Sequence, residues 1–314
     1  MKIVFMGTPE LAATVLDALI QSEHEILAVV TQPDKPKGRG KQIQYPPVKE
    51  LALKHQIPVY QPNKAKDEDF IKKLEEINPE CIVVAAYGKI LPKAIIDFPK
   101  YGCINVHASL LPKYRGAAPI QWTIINGEEK TGITIMYMDV GIDTGDMIMK
   151  EEVIIEPKET GGSLHDKLAV CGGRLLIKAL KEIEHGTAVR EKQKDEESTY
   201  VKMLDKSLGH IDFSNSAAEI ERLIRGLNPW PSAYTFLDGK TLKIWEASIE
   251  QGLSEKADNT GKPGEILEVT KDSIIVQTGN GRLVLHEVQL EGKKRMTVDA
   301  FIRGFDLQAG KILS

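Results

Sequence analysis

Lys2-Ile3-Val4-Phe5-Met6-Gly7-Thr8-Pro9-Glu10 opens the chain with a continuous apolar run that reaches a glycine and passes into a helical pattern over Pro9–Ser22. Short β-rich runs of the same kind recur at Ile26–Gln32, Cys81–Tyr87, Cys103–Val106 and Ile133–Met138. Most alternate with helical stretches such as Val48–His55 and Asp67–Ile77. A strand that is apolar throughout is covered on both faces, and strands alternating with helices build βαβ units. The expected fold class is therefore α/β, with a doubly wound, largely parallel, Rossmann-like sheet in the first half of the chain. In such a sheet, ligands bind beyond the carboxyl ends of the strands.

An amphipathic pattern from Ser163 to about Glu184, followed by His185-Gly186, predicts a helix packed on this sheet and stopped by a glycine cap. The run Arg190-Glu191-Lys192-Gln193-Lys194-Asp195-Glu196-Glu197 lacks an apolar face and reads as a solvated connector. Beyond it come a short helix at Ala217–Arg225 and strand-like segments with turn signals at Asp238-Gly239 and Asn280-Gly281. This is the pattern of a small antiparallel domain, and a five-stranded barrel fits it. The expected division is a catalytic domain over 1–187, a linker over 188–206 and a second domain over 207–314.

The composition excludes several classes. With 42% hydrophobic and 27% charged residues in 314, the chain has the make-up of an ordinary globular protein. A formal net charge of -4 announces no polyanion partner, so any nucleic-acid site must be local. Cys81, Cys103 and Cys171 are odd in number, widely spaced and form no Cys-x-x-Cys pair, which suits a reducing cytoplasm and predicts no metal. The N-terminal run reads as a strand and not as an export signal, and no window reaches the ~18 apolar residues of a membrane span. Gly7-Thr8-Pro9-Glu10 could offer backbone N–H groups to an anion, but it lacks the three-glycine dinucleotide fingerprint and reads better as a tight structural turn.

Asn105-Val106-His107-Ala108-Ser109-Leu110-Leu111-Pro112 lies where the strand begun at Cys103 runs out. Residues two apart on a strand project from one face, so Asn105 and His107 form a polar pair directed into the crevice. Three acids, Asp139, Asp143 and Asp146, follow the run Ile133–Met138 and are expected on a loop at the same carboxyl edge. An acid beside a histidine orients it and supports its charged form, which suits proton transfer near neutral pH. On spacing alone any of the three qualifies. Their arrangement does not make a calcium loop, because the terminal Glu and flanking helices are missing.

With these residues in place, the chain resembles the methionyl-tRNA formyltransferase family over essentially its whole length. The likeness rests on Asn105-x-His107-x-Ser109-Leu110-Leu111-Pro112, on Tyr114-Arg115-Gly116-Ala117-Ala118-Pro119-Ile120-Gln121 and on Asp143. It implies that Asn105, His107 and Asp143 are catalytic, which chooses Asp143 among the three acids. It implies that Ser109, Leu110, Leu111 and Pro112 contact 10-formyltetrahydrofolate, and that Tyr87, Gly88 and Ile90, within Tyr87-Gly88-Lys89-Ile90-Leu91-Pro92, form another wall of the folate pocket. It implies an OB-like second domain from about Ser207 that assists tRNA binding.

The Asn-x-His, Ser-Leu-Leu-Pro and Asp set is shared with enzymes that formylate glycinamide ribonucleotide or amino sugars, so a nucleotide-linked amino sugar is the competing acceptor. Thr31-Gln32-Pro33-Asp34-Lys35-Pro36-Lys37-Gly38-Arg39-Gly40-Lys41 resembles the loop that tRNA-acting members insert after their second strand. Residues 33–44 carry four basic side chains and one acid, a local charge of +3 that attracts phosphates. Initiator methionyl-tRNA is therefore the expected partner, touched by Lys35, Lys37, Arg39, Lys41 and Arg115, and a monomer is the expected state. Lys293-Lys294-Arg295 is a second basic cluster that either meets the tRNA backbone or faces water, and Asn228-Pro229-Trp230-Pro231 is expected to pack into a core.

Overall fold

The computed structural model of the chain describes residues 1–37, 42–250 and 261–314. It divides into two compact units, one of Met1–Pro119, Lys130–Ile154 and His165–Lys202, the other of Ile120–Glu129, Ile155–Leu164 and Met203–Ser314.

In the first unit, strands β1 (Lys2–Gly7), β2 (Glu25–Val30), β3 (Val59–Tyr60), β4 (Cys81–Ala85), β5 (Cys103–His107), β6 (Lys130–Tyr137) and β7 (Met147–Ile154) form one sheet of order β7-β6-β5-β4-β1-β2-β3. The pairs from β3 across to β5 are parallel, as the unbroken apolar runs require. β1, β4 and β5 are buried on both faces from their second residue on. Helices α1 (Glu10–Ile20), α2 (Pro47–Lys54) and α3 (Glu68–Ile77) supply the covering layers. α3 buries Phe70 and Leu74, one turn apart, against Val4, Val30 and Val84 of the sheet.

Helix α4 (Gly161–His185) ends where expected, with Gly186 at φ +70. Its Gly172-Gly173 pair is a close-approach point. A Cβ on Gly172 would lie 3.0 Å from Val106 of β5, and one on Gly173 would lie 2.8 Å from Ala18 of α1.

The sequence did not reveal the direction of β6. It runs antiparallel to β5, with Tyr137 opposite Ile104 and Thr134 opposite His107, so its last residues lie beside the amino end of β5. The loop that follows thus starts at the edge opposite to the one expected for it, and doubles back to reach the site.

In the second unit, β8 (Ala233–Leu237), β9 (Lys240–Ile249), β10 (Ile266–Val269), β11 (Ile274–Gln277) and β12 (Arg282–Leu290) pair antiparallel in the order β8-β9-β12-β11-β10. Asp238 and Gly239, both at positive φ, make the two-residue turn between β8 and β9. The chain end closes the sheet. Phe236 of β8 exchanges backbone hydrogen bonds with Ser314, while Lys311 and Leu313 bond to Ile266 and Gly264 at the β10 edge. Both free edges are thereby paired, which makes a closed antiparallel barrel. Helix α5 (Ala217–Gly226) starts on a capping box in which Ser216 and Glu219 satisfy one another's backbone N–H groups.

Residues 188–202 differ from the expected connector. They belong to the first unit, where Tyr200–Val201 pairs parallel with Arg115–Gly116 and Gln193 is buried. Hydrogen bonding to backbone and to Arg115 replaces the apolar face that the charged run lacks. Trp230 differs too. It is 55% exposed and does not pack into a core.

Candidate active site

Asn105 and His107 occupy the end of β5 and are both buried, at 9% and 6% exposure. Their same-face relation holds, because both reach one acid. Asn105 Nδ2 donates to Asp143 Oδ1 at 3.4 Å, and His107 Nδ1 lies 3.6 Å from Asp143 Oδ2. The other ring nitrogen, Nε2, meets the Tyr114 carbonyl at 3.0 Å. A carbonyl only accepts, so Nε2 carries a proton by assignment from its partner. Nδ1 is then the ring nitrogen that faces the Asp143 carboxylate.

Asp143 is the acid that the geometry brings to this pair. Asp139 is turned to its own loop, accepting from the Gly141 N–H at 2.9 Å and from the Thr144 hydroxyl. Asp143 sits at φ +54, a left-handed conformation uncommon outside glycine, and its Oδ2 accepts from the Gly116 N–H at 2.9 Å. Gly116 is required there. It has φ +110, and a Cβ would collide with the Val201 carbonyl oxygen.

The Ser109–Pro112 turn is built from inside. Ser109 Oγ donates to the Lys113 carbonyl at 2.7 Å, Thr134 Oγ1 donates to the Ser109 carbonyl at 2.7 Å, and the Leu111 N–H donates to Thr134 Oγ1 at 3.1 Å. Leu111 is buried at 2% exposure. Leu110 and Pro112 belong to the same turn.

Tyr87 and Gly88 follow β4, the parallel neighbour of β5, and so lie at the same carboxyl edge. Gln32 Nε2 pins the carbonyls of Tyr87 at 3.1 Å and Gly88 at 3.3 Å. The Tyr87 hydroxyl is buried without a partner among the described residues, and burial pushes its pKa up to about 12. Ile90 at 81%, Val140 at 71% and Ile142 at 58% exposure are large apolar side chains left open on this loop and on the Asp143 loop.

The basic residues divide. Asp34, the acid of the 33–44 loop, is bound to Lys49 Nζ at 2.6 Å and Gln61 Nε2 at 2.7 Å, and these hydrogen bonds hold its pKa below the usual carboxylate value. Lys35 is exposed on a short ribbon, Lys35–Lys37 paired with Gln42–Gln44. Lys37 lies on that ribbon, while Arg39 and Lys41 fall outside the described residues. Arg115, expected to contact tRNA, is instead 1% exposed, with donors engaged by Gln193, Asp195 and Tyr200. Its guanidinium organises protein and is not offered to phosphates. Arg295 of the second basic cluster pairs with Glu287 and lies 4.7 Å from the Trp245 ring.

Two contributors to the site were not singled out from sequence. Gly116 holds the Asp143 carboxylate through its backbone, and only its position after Arg115 hints at this. Gln193 donates to the Asp143 and Gly145 carbonyls, each at 2.8 Å. Its one signal is to be an uncharged amide within a run of charges.

Among the described residues no cluster of three His, Cys, Asp or Glu side chains could hold a metal ion, and no helix is long and apolar enough to cross a membrane. The three cysteines are free and buried.

Residues 1–180 match the family described as Formyl transferase, and residues 203–306 match Formyl transferase, C-terminal domain. A methionyl-tRNA formyltransferase of Lachnospira eligens is 55% identical over 313 residues, covering 100% of this chain and 99% of its own. One from Clostridioides difficile is 55% identical and covered in full on both sides. Among solved structures, an N-formyltransferase from Helicobacter canadensis in complex with folinic acid and dTDP-3-aminofucose superposes with a TM-score of 0.66 at 19% identity, over 94% of this chain and 100% of that one. At that identity the likeness is one of fold.

Proposed function

The chain belongs to the formyl transferase family, and from that premise we propose that it carries the formyl group of 10-formyltetrahydrofolate to the free amino group of methionyl-initiator tRNA. The product is N-formylmethionyl-tRNA, used to start translation. The observation that carries the chemistry is the convergence of Asn105 and His107, from one strand face, on Asp143. The acceptor follows from full-length identity above 50% to methionyl-tRNA formyltransferases, whereas the N-formyltransferase complexed with dTDP-3-aminofucose shares the fold at 19%.

Attack of the amine on the formyl carbon places negative charge on the formyl oxygen and a surplus proton on the nitrogen. Asn105 has a second N–H with no partner among the described residues, and it serves the oxygen. A single preorganised donor of this kind is worth ~10²–10³ in rate. The proton goes to the His107 and Asp143 pair. Nδ1 takes it, the Asp143 carboxylate stabilises the resulting imidazolium, and the Tyr114 carbonyl fixes the ring through Nε2; as the tetrahedral intermediate collapses the formyl carbon–N10 bond breaks, the proton passes on to N10 and tetrahydrofolate leaves. Orientation of the two substrates supplies the rest of the acceleration.

Ser109 to Pro112 and Tyr87, Gly88 and Ile90 form the donor's walls. Lys35, Lys37, Arg39 and Lys41 attract the tRNA backbone, and the barrel domain from about 207 onward assists. On this reading the chain acts in the cytoplasm as a monomer, and three free thiols suit such a reducing compartment. Acceptor profiling tests the reading. With 10-formyltetrahydrofolate as donor, methionyl-initiator tRNA is formylated and a dTDP-linked amino sugar is not; the reverse preference refutes it.

A further inference from the structure

The segment that reads as a solvated connector reaches the back of the active site. Gln193 is 5% exposed, and both ends of its amide are used. Nε2 donates to the carbonyls of Asp143 and Gly145, each at 2.8 Å, so one side chain grips both sides of the turn that carries the acid. Oε1 accepts from Arg115 Nε at 3.0 Å and from a terminal nitrogen of the same guanidinium at 2.8 Å. Two further Arg115 donors reach the Asp195 carboxylate and the Tyr200 hydroxyl, each at 2.9 Å. Backbone bonds anchor the segment on either side of Gln193. Glu191 and Met147 exchange two at 2.8 Å, and the Arg115 N–H donates to the Thr199 carbonyl at 2.8 Å. The ring closes at Gly116, whose N–H holds the Asp143 carboxylate. Every member lies within the first unit.

Asp143 needs such a grip. A non-glycine residue at φ +54 persists in that conformation only where its surroundings over-determine it. Gln193 supplies two of the bonds that fix the turn's backbone, and the Arg115 fork fixes Gln193. A buried hydrogen-bond network of this kind is rigid, and losing one member leaves others buried and unpaired. The carboxylate direction toward His107 Nδ1 is therefore set in part from residue 193, far away in sequence.

We propose that Gln193, clamped by Arg115, is a positioning residue for Asp143, so that the 188–202 segment is a brace of the catalytic centre. This rests on the reading that Asp143 serves formyl transfer.

The test compares Gln193→Met, of similar length but without hydrogen bonds, in the native chain and in an Asp143→Asn background. In the native background kcat is expected to fall about 10- to 10²-fold, the scale for misplacing a catalytic group by an ångström. KM for 10-formyltetrahydrofolate and for tRNA should stay within about two-fold, since neither ground-state contact is removed. In the Asp143→Asn background the same change should alter kcat by less than about two-fold, because a residue acting through Asp143 has nothing left to position. An equal loss in both backgrounds, as general weakening of the fold would give, overturns the proposal. So does an unchanged kcat in the native background. Should Gln193→Met fail to fold, Gln193→Glu carries the same comparison: it keeps the acceptor for Arg115 and loses both donated bonds. A native chain that forms no formylmethionyl-tRNA removes the functional reading, and this proposal with it; an active native chain with additive losses removes the proposal alone.

Discussion

His107 Nδ1 lies 3.6 Å from Asp143 Oδ2 while Nε2 of the same ring is bound to the Tyr114 carbonyl at 3.0 Å. One nitrogen is committed to structure, and the other faces an acid with no intervening backbone donor. Substituting Asp143→Asn removes the charge that supports an imidazolium and sets an amide against the Gly116 N–H. Single-turnover formylation should slow by ~10²–10⁴, the range for a positioned proton-transfer group. KM for the donor should change little. A loss confined to KM would move Asp143 out of the chemistry.

Thr134 links β6 to the Ser109–Pro112 turn by accepting from the Leu111 N–H and donating to the Ser109 carbonyl, and it is fully buried. Thr134→Val keeps the shape and leaves both backbone groups unpaired. Stability should fall by about 1–3 kcal/mol per unsatisfied group, read as a lower urea midpoint, and KM for the folate donor should rise because the turn loosens. An unchanged midpoint would mean that water replaces the threonine at no cost.

Alkaline solution should weaken the fold through its buried thiols. Burial pushes Cys103 from an ordinary value of 9.0 up to about 12, and it pushes Cys81 upward as well. In the unfolded chain these thiols lose protons above about pH 9, while the folded chain retains them, so the unfolded state binds fewer protons and stability falls as pH rises from 9 toward 12. Each such group steepens the decline by ~1.4 kcal/mol per pH unit. Urea midpoints followed upward from about pH 8 check the direction. Iodoacetamide near pH 8 should label none of the three cysteines until denaturant is added.

The basic loop should govern tRNA and not folate. Arg39→Ala or Lys41→Ala is expected to raise KM for tRNA and to make its logarithmic salt dependence shallower by ~0.7–0.9 per charge removed. Turnover of 10-formyltetrahydrofolate without tRNA should be unaffected. An unaltered salt slope would take this loop away from the acceptor.

Unbroken apolar runs such as Lys2–Gly7 and Cys81–Tyr87 revealed the parallel sheet, because burial on both faces leaves a direct mark on composition. The direction of β6 left no such mark, since parallel and antiparallel buried strands have the same residues, so the doubling back of the Asp143 loop was hidden. Asn105 and His107 were legible through the two-residue period of a strand. Spacing left Asp139, Asp143 and Asp146 open and the resemblance chose Asp143, because the left-handed turn and the Gly116 N–H that hold its carboxylate are not encoded in spacing. Arg115 and Gln193 were both misplaced. Gln193 read as part of a solvated run and Arg115 was assigned to tRNA by resemblance, and only tertiary structure shows that they bond to each other in a buried network.

The decisive measurement is accumulation of N-formylmethionyl-tRNA when the protein is mixed with 10-formyltetrahydrofolate and methionyl-initiator tRNA, compared between the native chain and His107→Ala. Formylation by the native chain, slowed by ~10²–10⁴ in the variant, is the predicted result. No product from the native chain, or equal rates from both, would contradict it.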